Sequence, residues 1–364
     1  MLDKLLRLAA ASVVMSLAGG AALAQHLKIS TGLPDSHCWV GQHMNPLIDA
    51  IKEGTGGSVT FTPFYDGKLI AAGRELDALT SGAIDVAAPL LAPYDEGRFP
   101  LSDVTQLPIY GTDSPMMTRA FQQLLDSDVK LAGGKTFYEY EIGSKGIRVW
   151  AVGATSAYSI STTGKKLVQP ADFSGLRLRG GSAIHTIVLR QLGATPVNMP
   201  AVQAHEAMSR GDVDGGVLTI PGWRAYAFQD VLKYTVTDVA IGHWQSYLAI
   251  RDAAWNSLTP QQQQLWDATA RRLALENAAH WEAGQLEVVK EAAKAKGAVF
   301  VPVGELPEPM QNHIAKAAAD TWVAWIEKME AAGHPGKAAA KLYARLITQA
   351  GGRLPSGVAG YLGL

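Results

Sequence analysis

The chain has 364 residues, and its 32 Lys and Arg residues nearly balance its 33 Asp and Glu residues, for a formal net charge of −1. This balance is not that of a protein that binds nucleic acid or an anionic membrane through a basic surface. The one cysteine, Cys38, excludes a disulfide framework within the chain, and the length is sufficient for two lobes with cores of their own.

The first 24 residues are typical of a secretory signal peptide. Lys4 and Arg7 form a basic start, residues 8–18 are mostly apolar, and Ala22-Leu23-Ala24 has the small residues of a cleavage site. An uncleaved membrane anchor is the alternative, but the apolar run is short for a bilayer span. We therefore predict cleavage before Gln25 and a mature chain that lies outside the cytoplasm without insertion into lipid.

Further along, a strand–helix–strand–helix–strand pattern occurs twice, and strands that alternate with helices predict parallel sheets with helices on both faces. Both copies end on the spacing Leu/Met-x-x-Gly-x-x-Asp, at residues 79–85 and 208–214. Chance agreement between short patterns is the alternative to a duplicated architecture. The predicted strands are at 27–32, 59–65 and 83–90 in the first copy and at 176–180, 194–200 and 212–218 in the second, with helices at 74–82, 182–193 and 205–211.

The rest of the chain predicts two more strands, at 234–242 and 246–251, and then a long helix. Thr259 can cap this helix and Pro260 suits its first turn, and apolar residues recur along it to about residue 296. A short strand at 298–303 and helices to about residue 349 complete the predicted elements. Two α/β lobes that face each other account for this order.

Residues 172–215 read DFSGLRLRGGSAIHTIVLRQLGATPVNMPAVQAHEAMSRGDVDG. This stretch resembles the periplasmic solute-binding proteins of TRAP transporters (the DctP type). Their pattern is D-L-K-G-L-K-[IL]-R, a helix, L-G-A-x-P-x-x-[ML]-P, and then E-x-x-x-A-[LM]-x-x-G-x-V-D-G. Residues 56–86 and 99–108 agree with the same family, so the resemblance covers nearly the whole chain after the leader.

The resemblance implies an α/β fold, the two-lobed periplasmic-binding-protein fold, with strands that cross between the lobes and a long helix that backs both. It implies lobe I at residues 25–156 and about 243–283, lobe II at about 157–242 and 284–364, and a ligand cleft between them. It also implies a periplasmic monomer that closes on a small organic carboxylate and delivers it to the TRAP membrane permease subunits. We expect no catalysis, cofactor, metal or nucleic acid.

An anchor for the carboxylate can be argued from chain direction alone. Ligands of open α/β sheets lie beyond the carboxyl ends of strands, at the N-termini of the following helices. Arg179 ends such a strand immediately before Gly180-Gly181 and a helix, and its planar guanidinium can hold both carboxylate oxygens. Arg177 lies one pleat, about 6.5–7 Å, further from that end, so we expect it to be a solvated strand residue.

Departures from the family pattern indicate an apolar pocket around this anchor. Ser159, beside Tyr158, stands where many relatives carry a second arginine, Val217 and Leu218 replace a usual polar contact, and Leu90 is apolar where relatives can be polar. Burying unpaired sugar hydroxyls there would cost roughly 1–3 kcal/mol each. We therefore predict a monocarboxylate with an aromatic or otherwise apolar body. The alternative is an aliphatic hydroxy or keto acid, or a dicarboxylate.

Aromatic residues near predicted strand ends are candidates for the pocket walls: Trp39, Tyr94, Tyr158, Trp223 and Trp244. For each tryptophan the alternative is packing in the core. His37 lies in the first strand-to-helix loop, where relatives often present a ligand-contacting residue, and we expect it to hydrogen-bond a ligand oxygen. An ordinary surface histidine is the alternative.

An enzyme is the main contrasting class. His37 and Cys38 are adjacent and so are poorly arranged as base and nucleophile, and no G-x-S-x-G, H-E-x-x-H or paired-carboxylate motif occurs. A binding protein of an ABC importer shares the two-lobed architecture and is the closer alternative.

Overall fold

The computed structural model describes residues 24–95, 97–283 and 285–364, so the expected signal peptide, except for its last residue, lies outside the described residues. The strands are β1 Gln25–Ser30, β2 Val59–Phe64, β3 Val86–Leu90, β4 Ile147–Ala151, β5 Ser159–Thr162, β6 Arg177–Gly180, β7 Thr195–Asn198, β8 Gly215–Leu218, β9 Tyr234–Thr237, β10 Tyr247–Arg251 and β11 Val299–Pro302.

The helices are α1 Asn45–Gly54, α2 Glu75–Ser81, α3 Ser114–Asp126, α4 Phe137–Glu141, α5 Ala183–Gln191, α6 Ala201–Ser209, α7 Trp223–Tyr226, α8 Asp252–Asn256, α9 Pro260–Glu282, α10 Gln285–Lys294, α11 Glu308–Ala331, α12 Gly336–Gln349 and α13 Val358–Leu362. In the described ranges, no helix combines the length and the apolar character that a bilayer span requires.

Two sheets divide the strands, and each sheet contains one strand that runs antiparallel to both of its neighbours. The strand order is β2-β1-β3-β10-β4 in the first sheet and β11-β9-β5-β8-β6-β7 in the second. β10 runs antiparallel between β3 and β4, and β5 runs antiparallel between β8 and β9. The first sheet and the elements packed on it form the first lobe, and the second sheet and the elements packed on it form the second lobe. The expected two-lobed α/β fold with crossing strands is confirmed.

The two copies of the predicted repeat share a turn as well as an order of elements. The glycine of the Leu/Met-x-x-Gly-x-x-Asp spacing has a φ of 76° in the first copy and 75° in the second, a left-handed conformation that glycine adopts at little steric cost. The carboxylate of Asp85 accepts a hydrogen bond from Lys28 N (2.8 Å), and that of Asp214 accepts one from Arg177 N (2.8 Å). Each aspartate therefore ties the end of its copy to the strand that begins it, which favours duplication over chance.

The long helix predicted behind both lobes is present but interrupted. Thr259 caps α9 as expected, since its hydroxyl accepts a hydrogen bond from Gln262 N (3.3 Å), and Pro260 is the first helical residue. α9 ends where Ala283 leaves the helical conformation with a ψ of 95°, and α10 follows as a separate helix. α9 and α10 together form the long helix that the sequence predicts to about residue 296, with a break that the sequence did not predict.

The C-terminal helices connect the lobes. In the first half of α11, His313 Nε2 is 3.0 Å from Leu192 O, next to α5 of the second lobe. In α12, Tyr343 is buried in the apolar cluster that contains Val149 of β4, and its hydroxyl donates a hydrogen bond to Thr105 O (3.1 Å). The expected boundaries assigned all of residues 284–364 to lobe II. We propose instead that α12 and the second half of α11 belong to lobe I, because first-lobe residues cover their apolar faces.

Two segments that cross between the lobes run side by side, residues 152–158 from β4 to β5 and residues 238–246 from β9 to β10. Backbone hydrogen bonds join them, from Thr155 N to Trp244 O (3.0 Å) and from Tyr158 N to Gly242 O (3.1 Å). Trp244 N also donates a hydrogen bond to the Thr155 hydroxyl (3.0 Å). Side chains of both segments therefore reach the space between the lobes.

Candidate functional site

A cavity with an empty volume of about 470 Å³, part of which is open to solvent, lies between the two sheets. Its walls come from both lobes and from the crossing segments, and they are mainly aromatic. Arg179 is the one lysine, arginine or carboxylate residue among the described residues that line it. The cavity is thus mainly apolar, and its described lining carries a single permanent positive charge.

Arg179 is the penultimate residue of β6 and lines the cavity with almost no exposure to solvent (1%). Its Nε donates a hydrogen bond to Met199 O (3.0 Å), its Nη1 to Val217 O (3.4 Å) and its Nη2 to the Tyr94 hydroxyl (3.3 Å). These partners are all neutral, and no carboxylate in the described part of the chain forms an ion pair with the guanidinium. A buried cation is costly without a counter-charge, so this position favours an incoming anion.

Two glycines leave space for this arginine. A Cβ on Gly181 would lie 2.5 Å from Arg179 Nη2 and 2.8 Å from the Trp244 ring, and a Cβ on Gly216 would lie 2.8 Å from Arg179 O. A larger residue at Gly181 would displace the guanidinium, and one at Gly216 would push β6 away from β8. The glycine break after β6 therefore determines where the guanidinium sits.

Behind the guanidinium, Ser182 caps α5 by accepting a hydrogen bond from His185 N (3.2 Å). The buried His185 ring lies 4.8 Å from the Tyr158 ring, centroid to centroid, and its Nδ1 accepts a hydrogen bond from Gly181 N (3.2 Å). Burial, and then the charge of Arg179, hold the pKa of His185 well below its usual value. This histidine is therefore neutral and adds no second cation beside the cavity.

Three tyrosine hydroxyls surround the same guanidinium. The Tyr94 hydroxyl accepts a hydrogen bond from Arg179 Nη2 and another from Ala201 N (3.3 Å). The Tyr158 and Tyr226 side chains line the cavity, and their hydroxyls form no hydrogen bond with another described residue. Burial raises the pKa of both phenols above the usual value, against an opposing effect of the Arg179 charge. Both remain neutral O–H donors at neutral pH.

A second group of lining residues surrounds His37. Its ring centroid lies 5.3 Å from that of Trp39 and 5.7 Å from those of Tyr226 and Trp281. His37 Nδ1 accepts a hydrogen bond from Trp39 N (3.2 Å), and burial lowers the pKa of the imidazole to about 3, so Nε2 carries the proton of a neutral ring. Trp39 Nε1 donates to Gly153 O (2.7 Å), whereas Trp281 Nε1 has no partner in the described chain. His37 and Trp281 thus offer two neutral N–H donors.

Seven of the eleven predicted site residues line the cavity: His37, Trp39, Tyr94, Tyr158, Arg179, Leu218 and Trp244. Leu90 and Val217 do not, because side chains alternate along a strand and those of Leu90 and Val217 are buried on the face opposite to that of the residue that follows each of them. In each case the following residue, Leu91 or Leu218, faces the cavity.

Ser159 and Trp223 also lie away from the cavity. The Ser159 hydroxyl donates a hydrogen bond to Leu218 O (2.9 Å) within the β5–β8 pair. Trp223 is fully buried in the second lobe, where its ring lies 5.7 Å from that of Phe300. The cavity therefore lacks the side chains of four residues that were expected to line it: Leu90, Ser159, Val217 and Trp223.

Sequence reasoning missed nine lining residues. Four of them follow β8 at its carboxyl end, so the rule that selected Arg179 could have found them: Thr219, Gly222, Tyr226 and Phe228. Trp281 comes from the end of α9 and gives no local signal. The others are Leu33, Leu91, Thr155 and Ala201.

Neither a metal site nor a reactive thiol is evident in the described ranges. No group of three or more His, Cys, Asp or Glu residues there is arranged to hold a metal ion. The Cys38 sulfur accepts a hydrogen bond from Asn277 Nδ2 (3.3 Å), and burial raises the pKa of the thiol to about 12. A thiol with this pKa is not a nucleophile at neutral pH.

Residues 29–328 match the family model DctP, bacterial extracellular solute-binding protein, family 7. A solute-binding protein of Albidiferax ferrireducens is 23% identical over 245 residues, which are 65% of this chain and 68% of that protein. The C4-dicarboxylate-binding periplasmic protein DctP of Rhodobacter capsulatus is 28% identical over 163 residues, 44% of this chain and 46% of that protein.

Solved structures agree on the fold. A marine metagenome TRAP solute-binding protein specific for aromatic acid ligands, in complex with metahydroxyphenylacetate, has a TM-score of 0.76 at 21% identity and covers 90% of this chain and 99% of its own. A TRAP solute-binding protein from Rhodoferax ferrireducens, with copurified benzoate, has a TM-score of 0.74 at 22% identity and covers 89% and 98%. The family consists of binding proteins and not enzymes. This chain belongs to the DctP family of bacterial extracellular solute-binding proteins, which serve TRAP transporters.

Proposed function

We propose that this protein binds an aromatic monocarboxylate between its lobes and delivers it to a TRAP membrane permease. The observation that carries the proposal is a buried guanidinium, Arg179, that has only neutral partners in the described chain and faces an aromatic cavity. A ligand carboxylate can accept two hydrogen bonds from this guanidinium. The Tyr158 and Tyr226 hydroxyls supply further donors, so the carboxylate is satisfied without a second cation.

The remaining walls suit an aromatic body. One ring buries on the order of 150 Å² of apolar surface, a gain of about 4 kcal/mol, against residues such as Trp39, Leu218 and Trp244. A sugar acid carries several hydroxyls, and each one left unpaired would cost about 1–3 kcal/mol. The free N–H groups of His37 and Trp281 can serve one further oxygen, which favours a ring with a single hydroxyl over a sugar.

The compared proteins support an acid of this class. The two solved relatives held metahydroxyphenylacetate and benzoate, and both are about 21–22% identical to this chain. The Rhodobacter capsulatus relative is named for C4-dicarboxylates. A dicarboxylate brings a second negative charge, for which the described lining offers no second cation. It is therefore the less favoured ligand.

The proposal includes the place and the partners of the protein. Residues 1–24 act as a cleaved signal peptide, and the mature chain works as a monomer in the periplasm. Lobe I is built on the first sheet and lobe II on the second, and they close around the ligand. The TRAP permease subunits then take it from the closed protein.

A thermal-shift screen of residues 25–364 tests the ligand class. Benzoate and 3-hydroxybenzoate should each raise the melting temperature by several degrees, because a ligand at 100 times its Kd stabilises the folded state by about 2.7 kcal/mol. Succinate and galacturonate should give no shift. Shifts with succinate or galacturonate alone would overturn the aromatic assignment, and the absence of any shift with all four acids would overturn carboxylate binding itself.

A further inference from the structure

A second cavity adjoins the ligand cavity beside His37. It has an empty volume of about 860 Å³, and it shares His37, Gly222 and Trp281 with the ligand cavity. His37 and Trp281 are 5% and 2% exposed, and each lines both spaces. This outer cavity is defined by the side chains of Ser36, Gln42, Arg224 and His280.

The outer cavity carries an uncompensated positive charge. Arg224 lies in α7, is exposed, and forms no ion pair or side-chain hydrogen bond with another described residue. No carboxylate occurs among the described residues that line this cavity. Arg224 and Asp66 also line a further pocket. Lys68 pairs with Asp66 (3.1 Å) and offsets the charge of this aspartate.

This chain can attract an anion through a local cation and not through its overall charge. The formal net charge of −1 gives no long-range attraction for a carboxylate. In water at low ionic strength, a unit charge about 7 Å from the path of an anion raises the local anion concentration on the order of threefold. The effect is lost when the Debye length falls from about 30 Å at 0.01 M salt to about 3 Å at 1 M salt.

We propose that the outer cavity is an anion-capture site, in which Arg224 holds the carboxylate of the incoming ligand before it reaches Arg179. The inference rests on the proposed function, because it takes the ligand to be a carboxylate. The two arginines then have different tasks. Arg224 is exposed and speeds association, whereas Arg179 is buried and determines how long the ligand stays.

Stopped-flow tryptophan fluorescence separates these tasks, with benzoate as the probe or, if another acid of the screen gives a larger thermal shift, that acid. Arg224→Gln should lower the association rate constant about threefold at 10 mM salt and leave the dissociation rate constant unchanged. Arg224→Lys should keep the native rate, and in 0.5 M salt all three proteins should associate equally fast. The matched control is Arg190→Gln, an exposed arginine of α5 that lines neither cavity and whose loss should change neither rate.

Three other results would count against the capture site. An association rate of Arg224→Gln equal to the native rate at 10 mM salt would overturn it, and so would an effect on dissociation alone or an equal effect of Arg190→Gln. Any of these three results leaves the proposed function intact, provided that the native protein binds an acid and Arg179→Ala does not. If the native protein binds no carboxylate, both proposals fail.

Discussion

Arg177 and Arg179 lie two positions apart in one strand, yet their surroundings are opposite. The Arg177 side chain is 47% exposed and pairs with Asp214 (3.1 Å), so it is an ion-paired strand residue more than a freely solvated one. Arg179 is 1% exposed and has neutral partners. Strand direction explains the difference, because the carboxyl end of β6 faces the cleft and its beginning faces the turn that contains Asp214.

Replacement of Arg179 should separate binding from stability. Arg179→Ala should weaken the affinity for the bound acid at least 100-fold in isothermal titration calorimetry, because a charged, bidentate partner is lost. Its melting temperature without ligand should stay near or above the native value, since an unpaired buried cation is removed. Arg177→Ala is the matched control and should bind within twofold of the native protein. Affinity retained by Arg179→Ala would contradict the anchor.

Ligand affinity should be independent of pH between 5.5 and 8.5. Burial lowers the pKa of His37 to about 3 and that of His185 well below its usual value, so neither gains a positive charge in this range. Burial raises the pKa of Tyr158 and Tyr226, so neither becomes an anion. Calorimetric Kd values at pH 5.5, 7.0 and 8.5 should agree within twofold. A progressive weakening of more than threefold as pH rises would show that a protonated histidine takes part.

At the scale of elements, the repeat was predictable because its strands lie in regular order and its turns carry glycine and aspartate at fixed spacing. β4 and β5 were not predicted, and the four residues SIST of β5 pair with strands from further along the chain. The break between α9 and α10 was not predicted either, since a mainly apolar stripe continues across it. Local patterns thus identified the duplicated units and β10, but they did not show that β10 pairs with β3 and β4.

The candidate site was predictable to a similar degree. Chain direction selected Arg179 and the aromatic residues of the strand ends. The choice of Leu90 and Val217 was wrong by one residue. In a short buried strand whose positions are all apolar, the sequence does not show which side chains face the cavity. Trp281 could not be predicted, because only the packing of α9 across both lobes brings it to His37.

The aspartates that close the two repeat copies should contribute unequally to stability. Asp85 accepts a hydrogen bond from Lys28 N and pairs with Arg251 (2.6 Å) at 9% side-chain exposure. Asp214 is 31% exposed, so solvent weakens its pair with Arg177. We expect Asp85→Ala to lower the free energy of unfolding by about 3 kcal/mol and Asp214→Ala by about 1 kcal/mol, measured by urea denaturation. Equal losses would contradict this account.

At the scale of the whole molecule, Tyr94 joins the first lobe to the anchor in the second. This residue follows β3 of the first lobe, and its hydroxyl accepts hydrogen bonds from Arg179 Nη2 and Ala201 N, both in the second lobe. The crossing segments hold the lobes together behind the cavity. Separation of the two lobes would therefore break both contacts of the Tyr94 hydroxyl.

Tyr94→Phe should open the protein more often without changing capture. Loss of a hydroxyl that joins the lobes removes on the order of 1 kcal/mol from the closed state, equivalent to about a fivefold increase in the dissociation rate constant. The association rate constant should stay within twofold of the native value in stopped-flow measurements. Tyr234→Phe, whose hydroxyl donates to Leu167 O (3.3 Å) inside the second lobe, is the control. A slower association with unchanged dissociation would contradict the role of Tyr94 in closure.

The strand order of the first sheet also fixes the timing of its assembly. β10 lies between β3 and β4, so these two strands have no bridge until residues 247–251 exist. The entire β5–β9 region is synthesised before that bridge. A nascent chain cannot complete its N-terminal half first, as a tandem pair of independent modules would. The first sheet can therefore be completed only after about two thirds of the polypeptide has been made.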